Sequence, residues 1–306
     1  MNLIENDAKA TNSAYKAIQN AQVGCERLGA IRQHVEEIYS LTKDVLDKKF
    51  REQIKHDFHS CYAEMYVAAV LRDRYGFNVS HPSDEGPDLF LEDSNCWIEV
   101  VSVTDGSPDK LNSVSELIPC KGQKNPENKV ILRLSSVFWK KSKKMMCDRR
   151  KGIVDSSAPI IICISGGAMT ERIPIVPIGG LPPIVRAVLP ISGAYLLINR
   201  KTNVGSIEYK YSESVNKKSP TGNVSINTDY FLTDEHSHIS AVVYSSANAG
   251  DPLSRDKWGC DFIKICNPKA TNPLPRDFFK CDEEYSVSVT TDGFTIKEVS
   301  KQKSES

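Results

Sequence analysis

The run Pro159-Ile-Ile-Ile-Cys-Ile-Ser165 is apolar and β-branched without interruption. A strand with no polar alternation is buried on both faces, which occurs where helices cover both sides of a sheet. The run therefore predicts a central strand and excludes a half-solvated antiparallel sheet at this point. Ahead of it, Arg133-Leu-Ser-Ser-Val-Phe-Trp-Lys-Lys-Ser-Lys-Lys-Met145 has helical periodicity, with Val130 to Leu134 read as a strand leading into it. Strand, helix and strand in succession point to a three-layer α/β core.

A second segment carries the chemistry. Leu89-Phe-Leu91 and Trp97-Ile-Glu-Val-Val101 are short runs of strand formers, and Glu92-Asp-Ser-Asn95 between them has turn composition, so the pair reads as a hairpin. Pro87 cannot donate to a ladder and belongs at a strand start, which places Asp88 at the sheet rim. Glu99 lies deeper, among apolar residues, where a carboxylate is costly unless a cation compensates it. Upstream, residues 58–75 read as an amphipathic helix, with Glu64 on the inward face beside Cys61, Ala68 and Leu71. Three carboxylates are thus directed toward one space. An all-oxygen set suits Mg²⁺ or Mn²⁺ and not zinc.

Pro87-Asp88 followed by Glu99, with a helical Glu64 upstream, resembles the PD-(D/E)xK phosphodiesterase superfamily of restriction-endonuclease-like fold. Val101 stands where that pattern has lysine, and the superfamily is known to relocate this residue. Lys141 interrupts the otherwise apolar stripe Leu134, Val137, Phe138, Met145 and is the replacement of choice, with Lys144 second. A surface lysine laying its stem along apolar residues explains the same position. The resemblance implies metal-assisted phosphodiester hydrolysis, in DNA before RNA and in the context of genome defence or restriction. Asp88, Glu99 and Glu64 would hold the metal, with a further ligand from the Val101 carbonyl, and Lys141 would orient water or stabilise the phosphorane. Duplex cleavage would favour a homodimer.

Charge is balanced, with 39 basic and 39 acidic residues, which argues against strong sequence-independent nucleic-acid binding over the whole surface. Locally it is not balanced. From Lys140 to Lys151 the only acid is Asp148, so Lys140, Lys143, Lys144, Arg149 and Arg150 are candidates for phosphate contact or simply a solvated helix face. Phe138 and Trp139 read as core rather than stacking platforms. Two rival readings stand: a non-catalytic relative that binds nucleic acid or protein, suggested by Val101, and a small-molecule enzyme on another α/β scaffold, suggested by neutrality.

The remainder sets boundaries. Nine scattered cysteines without a Cys-x-x-Cys pair fit reduced thiols, and no basic-plus-apolar leader or long apolar run is present, so a cytoplasmic protein without membrane contact is expected. Residues 1–55 read as helices, 56–200 as the nuclease-like core, and 201–306 as a β-rich extension or lobe. Gly166-Gly167 and Gly179-Gly180 read as turn punctuation, Thr291-Asp-Gly293 as a hairpin turn. His236 and His238 are a weak metal motif beside a bland reading as an exposed strand start.

Overall fold

The structure is a computed structural model and describes residues 2–21, 25–82, 85–114, 126–170, 180–275, 277–291 and 293–299. Four helices come first: α1 (Ser13–Gln19), α2 (Glu26–Thr42), α3 (Phe50–Gln53) and α4 (Phe58–Asp73). They are followed by β1 (Val79–Ser80), β2 (Leu89–Leu91), β3 (Cys96–Thr104), α5 (Glu127–Arg150), β4 (Ile160–Ala168) and α6 (Pro183–Val188). The rest is mainly strand: β5 (Ile191–Asn199), β6 (Val204–Tyr211), β7 (Ser214–Ser219), β8 (Gly222–Asn227), β9 (Ala241–Ser245), β10 (Ile263–Cys266), β11 (Glu283–Thr290) and β12 (Gly293–Glu298).

One mixed eight-stranded sheet in the order β1-β2-β3-β4-β9-β10-β11-β12 organises the α/β fold. β3, β4 and β9 are parallel neighbours at its centre. Ile160, Ile161, Ile162 and Ile164 of β4 are fully buried, each contributing about 1.5–3 kcal/mol of apolar burial. Strand alternation divides the core in two. Ile98, Val100, Ile161, Cys163 and Val243 pack with α1–α4, while Trp97, Ile160, Ile162, Val242 and Tyr244 pack with α5 and α6. The sheet is therefore the middle layer of three. Among the described residues no helix is long and apolar enough to cross a membrane.

Two elements differ from their sequence reading, and a third decides a choice that the sequence leaves open. Val130 to Leu134 is not a strand but the first turns of the 24-residue α5. Its β-branched start mimics a strand, yet Val130, Ile131, Leu134 and Phe138 repeat at helical spacing and are all buried. The segment after residue 200, left open between an extension of the core and a lobe, divides between the two. β9 enters the sheet beside β4 and carries β10–β12 with it, whereas β5–β6 and β7–β8 form separate two-stranded sheets. The predicted turn at 291–293 joins β11 to β12, although Asp292 itself, like Gly179, lies outside the described residues.

Gly166 and Gly167 form the second difference, because they lie inside β4 and not in a turn. A Cβ on Gly166 would stand 2.0 Å from the Tyr244 hydroxyl, and one on Gly167 would stand 2.0 Å from the Ala247 backbone carbonyl. Glycine is required by close approach of Tyr244 in β9 and of Ala247 just after it. Gly167→Ala, which meets backbone, is expected to lower stability by about 1–3 kcal/mol in urea denaturation. An unchanged midpoint would contradict this packing.

Candidate active site

Glu99 sits in the middle of β3, opposite Ile162 of β4, and is completely buried. Alternation with Trp97 and Val103 turns its side chain toward the α5 layer. There it meets two lysines. Lys141 Nζ lies 2.5 Å from Glu99 Oε1, and Lys144 Nζ lies 2.6 Å from Oε2 while also donating to the Gly86 carbonyl at 2.8 Å. Three residues apart on a helix, the two ammonium groups share one face and clasp the carboxylate from both sides. Their side chains keep 27 % and 38 % of their exposure, so the clasp is open to solvent on its outer side. The sequence reading placed Lys144 second, with Lys140 and Lys143, to the sides or outward. The structure turns it inward, its ammonium meeting Glu99 and the Gly86 carbonyl.

Asp88 precedes β2, whose register pairs Leu89 with Ile98. Continued outward, this register sets Pro87 opposite Val100. Proline has no N–H to give to the Val100 carbonyl, and the Val100 amide donates to the Asp88 carboxylate at 2.6 Å. Burial first, and the neighbouring Glu99 second, push the Asp88 carboxyl above the usual range; the Val100 amide and the two lysines pull it back. His81, which the sequence reading passed over, stands with Nδ1 2.8 Å from the Asp88 carbonyl.

The backbone of β3 corrects one proposed ligand. Trp97 donates its amide to the Pro159 carbonyl on the β4 side. Alternate residues follow, so Trp97, Glu99 and Val101 direct their backbone groups into the ladder with β4. The Val101 carbonyl is thus committed. The Val100 carbonyl faces the open rim beside Asp88.

Glu64 lies on the inward side of α4 but is not drawn into a common set with Asp88 and Glu99. Among the described residues no three His, Cys, Asp or Glu side chains come together as a metal-binding group. The coupling is electrostatic. Burial, then Asp88, Asp47 and Glu99, push the Glu64 carboxyl up to about 8. Asp47 is a further acid that sequence spacing could not find, since it reaches this region through the turn before α3. A three-carboxylate metal centre therefore does not fit. Asp88 and Glu99 remain as two neighbouring carboxylates, matched one for one by the Lys141 and Lys144 ammonium groups. Mg²⁺ commonly takes one or two carboxylates and completes its shell with water and phosphate.

The basic end of α5 is divided. Lys140, Lys143 and Arg150 are exposed. Lys143 places its ammonium 3.8 Å from the centroid of the Trp139 ring, a cation–π contact, and Trp139 is 40 % exposed. Trp139 is thus not core, in contrast to Phe138, which is fully buried. Arg149 leaves the solvated face: it donates to the Ala158 carbonyl at 2.5 Å, and burial lowers its pKa. It anchors the helix end to the start of β4 and is withdrawn from the phosphate-contacting set.

His236 and His238 do not meet as metal ligands. Both are buried and approach the Ser142 hydroxyl, at 2.7 Å from His236 Nδ1 and 3.1 Å from His238 Nε2. Burial holds the His236 ring down to about 4, so it is neutral at pH 7. The pair fixes the middle of α5, and with it the lysines one residue before and two residues after Ser142.

No protein-family model, curated protein or solved structure matches this chain.

Proposed function

We propose that the chain is a metal-dependent nuclease whose active site is the rim formed by Asp88, Glu99, Lys141 and Lys144. The observation that carries the reading is the contact between Lys141 and Glu99 at 2.5 Å, with Asp88 on the neighbouring backbone amide. Two acids on the sheet and a lysine from the helix that covers it supply what phosphodiester hydrolysis uses: oxygen donors for a cation, and an ammonium for developing phosphorane charge. Mg²⁺ or Mn²⁺ bound by Asp88 and Glu99 would supply Lewis-acid charge and an activated water. Lys141, part-exposed, is placed to orient that water or a phosphate oxygen. Lys144 holds Glu99 and the Gly86 carbonyl together and so fixes the loop bearing Asp88. Lys140, Lys143 and Arg150 extend a cationic face along α5 for the backbone of the nucleic acid, DNA before RNA. Genome defence is the setting this reading suggests.

One observation favours a second reading. Both Glu99 oxygens are engaged by lysine, which neutralises the carboxylate without any metal. In that reading the site is a structural triad, and the protein binds nucleic acid or a partner without cleaving it.

Cleavage of plasmid, single-stranded DNA and RNA with Mg²⁺ or Mn²⁺ tests the two. Asp88→Ala and Lys141→Ala are each expected to lose activity by at least about 100-fold, in line with removal of a charge-stabilising group. Activity surviving in Asp88→Ala would place the chemistry elsewhere. Binding without cleavage under every condition would favour the second reading.

A further inference from the structure

β7 and β8 lie against α5, and a cavity of about 570 Å³ opens between them. Its wall holds Trp139, the one exposed tryptophan of the three, together with Tyr230 and His236. Arg133 and Lys140 of α5 and Lys217 of β7 line it as well, and none of the three meets a carboxylate among the described residues. A second cavity of about 610 Å³ adjoins the first and shares Asn112, Arg133 and Lys217 with it. It adds Lys110 and the hydroxyl residues Thr104, Ser107 and Ser113, and no described acid lines it. Arg133 and Lys217 therefore stand where the two cavities meet, with aromatic rings on one side and hydroxyls and a further cation on the other.

The parts of this site are held in place. Arg133 Nε donates to the Thr104 carbonyl at 2.9 Å, and its guanidinium passes so close to Gly106 that a Cβ there would stand 3.0 Å from it. The Asn112 side chain exchanges two hydrogen bonds with the Lys218 backbone, which ties the loop of Lys110 to the strand of Lys217. Lys143, outside the cavity lining, caps the Trp139 ring at 3.8 Å and leaves its cavity side open. Like charges gathered and fixed in this way repel one another until an anion joins them, and they are preorganised for one.

We infer that the joined cavities bind a nucleoside carrying two or more phosphates, with the base against Trp139 and the phosphates at Arg133, Lys217 and Lys110. Ring and cations together select this class: a sugar phosphate would leave the aromatic wall unused, and an apolar ligand would strand the cations. Three cations around the junction exceed what a single phosphate requires. The spacing fits too, since Arg133 and Trp139 are separated by about 9 Å of rise along α5, roughly the reach from a base to its phosphates. In the first cavity Asn227 and Asp229 offer acceptors for the exocyclic amine of adenine, guanine or cytosine. Neither cavity is lined by Asp88, Glu99, Lys141 or Lys144, so the inference stands apart from the nuclease reading. The same unit is supplied by a free nucleoside polyphosphate or by successive links of a single strand.

Equilibrium dialysis of the full chain against labelled ATP in EDTA, with tripolyphosphate and a deoxyadenylate decamer as competitors, tests this. One ATP per chain is expected to bind. Trp139→Leu is expected to weaken ATP at least about fivefold and to leave tripolyphosphate unchanged, whereas Lys217→Gln is expected to weaken both by at least about fivefold. Both side chains are exposed, so the circular dichroism of the variants should match the wild type. ATP that binds as tightly as the decamer, or more so, assigns the site to a free nucleotide; a decamer that binds more tightly than ATP, with the same response to both variants, assigns it to a strand. No ATP retained at millimolar concentration overturns the inference. So does ATP binding that either variant leaves unweakened, or tripolyphosphate that binds as tightly as ATP, which would leave the ring without a role.

Discussion

Replacing Lys141 and Lys144 together with methionine is expected to destabilise the protein by about 3–5 kcal/mol, the cost of stranding a buried charge. The asymmetry of the triad decides the size. Glu99 is wholly buried, whereas both lysines reach solvent, so losing the cations leaves a carboxylate with nowhere to be hydrated. Losing the carboxylate leaves lysines that can turn outward. Glu99→Gln in the double-lysine background is therefore expected to recover most of the loss, because the fully buried carboxylate that both lysines paired is gone. Urea denaturation of the wild type, the double variant and the triple variant measures this. A double variant with a wild-type midpoint would mean that Glu99 is not the buried partner of both lysines. Mg²⁺ in the buffer gives a second comparison: under the metal reading it restabilises the double variant more than the wild type, by occupying the carboxylates the lysines left.

The pairing behind this expectation was partly legible in the sequence, for definite reasons. Glu99 was conspicuous because a lone acid in Trp97-Ile-Glu-Val-Val101 contradicts its surroundings, and Lys141 because it breaks an apolar helical stripe. Each residue violated its local pattern, and the two violations resolve one another in space. Asp88 was legible through Pro87, whose missing amide forces a strand start. Lys144 was harder. It lies just beyond the edge of the stripe, next to Val137 in helical projection, and its stem carries it to Glu99. Asp47 was invisible, because nothing in a turn before a four-residue helix fixes its distance from α4. Glu64 was placed on the correct helical face, yet a face does not set depth, and it arrives as an electrostatic neighbour and not as a co-ligand. The start of α5 misled because Val130 and Ile131 have strand propensity that tertiary packing overrides. Gly166-Gly167 misled because a glycine demanded by close approach within a strand looks, in sequence, like one demanded by a turn.

Glu64 makes the last expectation, a pH dependence of folding linked to cation binding. Its carboxyl is raised from an ordinary 4.5 to about 8, so the folded protein holds a proton that the unfolded chain releases. The contribution to stability is therefore complete below pH 4.5 and is lost as pH rises toward 8. At about 1.4 kcal/mol per unit, discounted for a side chain that is only partly buried, the decline amounts to roughly 3 kcal/mol. Glu64→Gln, neutral at every pH, is expected to flatten the profile between pH 5 and 8; an unchanged slope would exclude Glu64 as its origin. The same proton reports on the metal. Asp88 and Glu99 both help to keep Glu64 protonated, behind burial as the larger cause, and a cation that neutralises them lowers its pKa by their share. Binding of Mg²⁺ at pH 7 should thus expel up to one proton, seen calorimetrically as a heat that varies with the ionisation enthalpy of the buffer. In Glu64→Gln the buffer dependence should shrink while binding persists. Binding with no proton release in the wild type would separate Glu64 from the cation altogether, leaving Asp88 and Glu99 to act with the lysines alone.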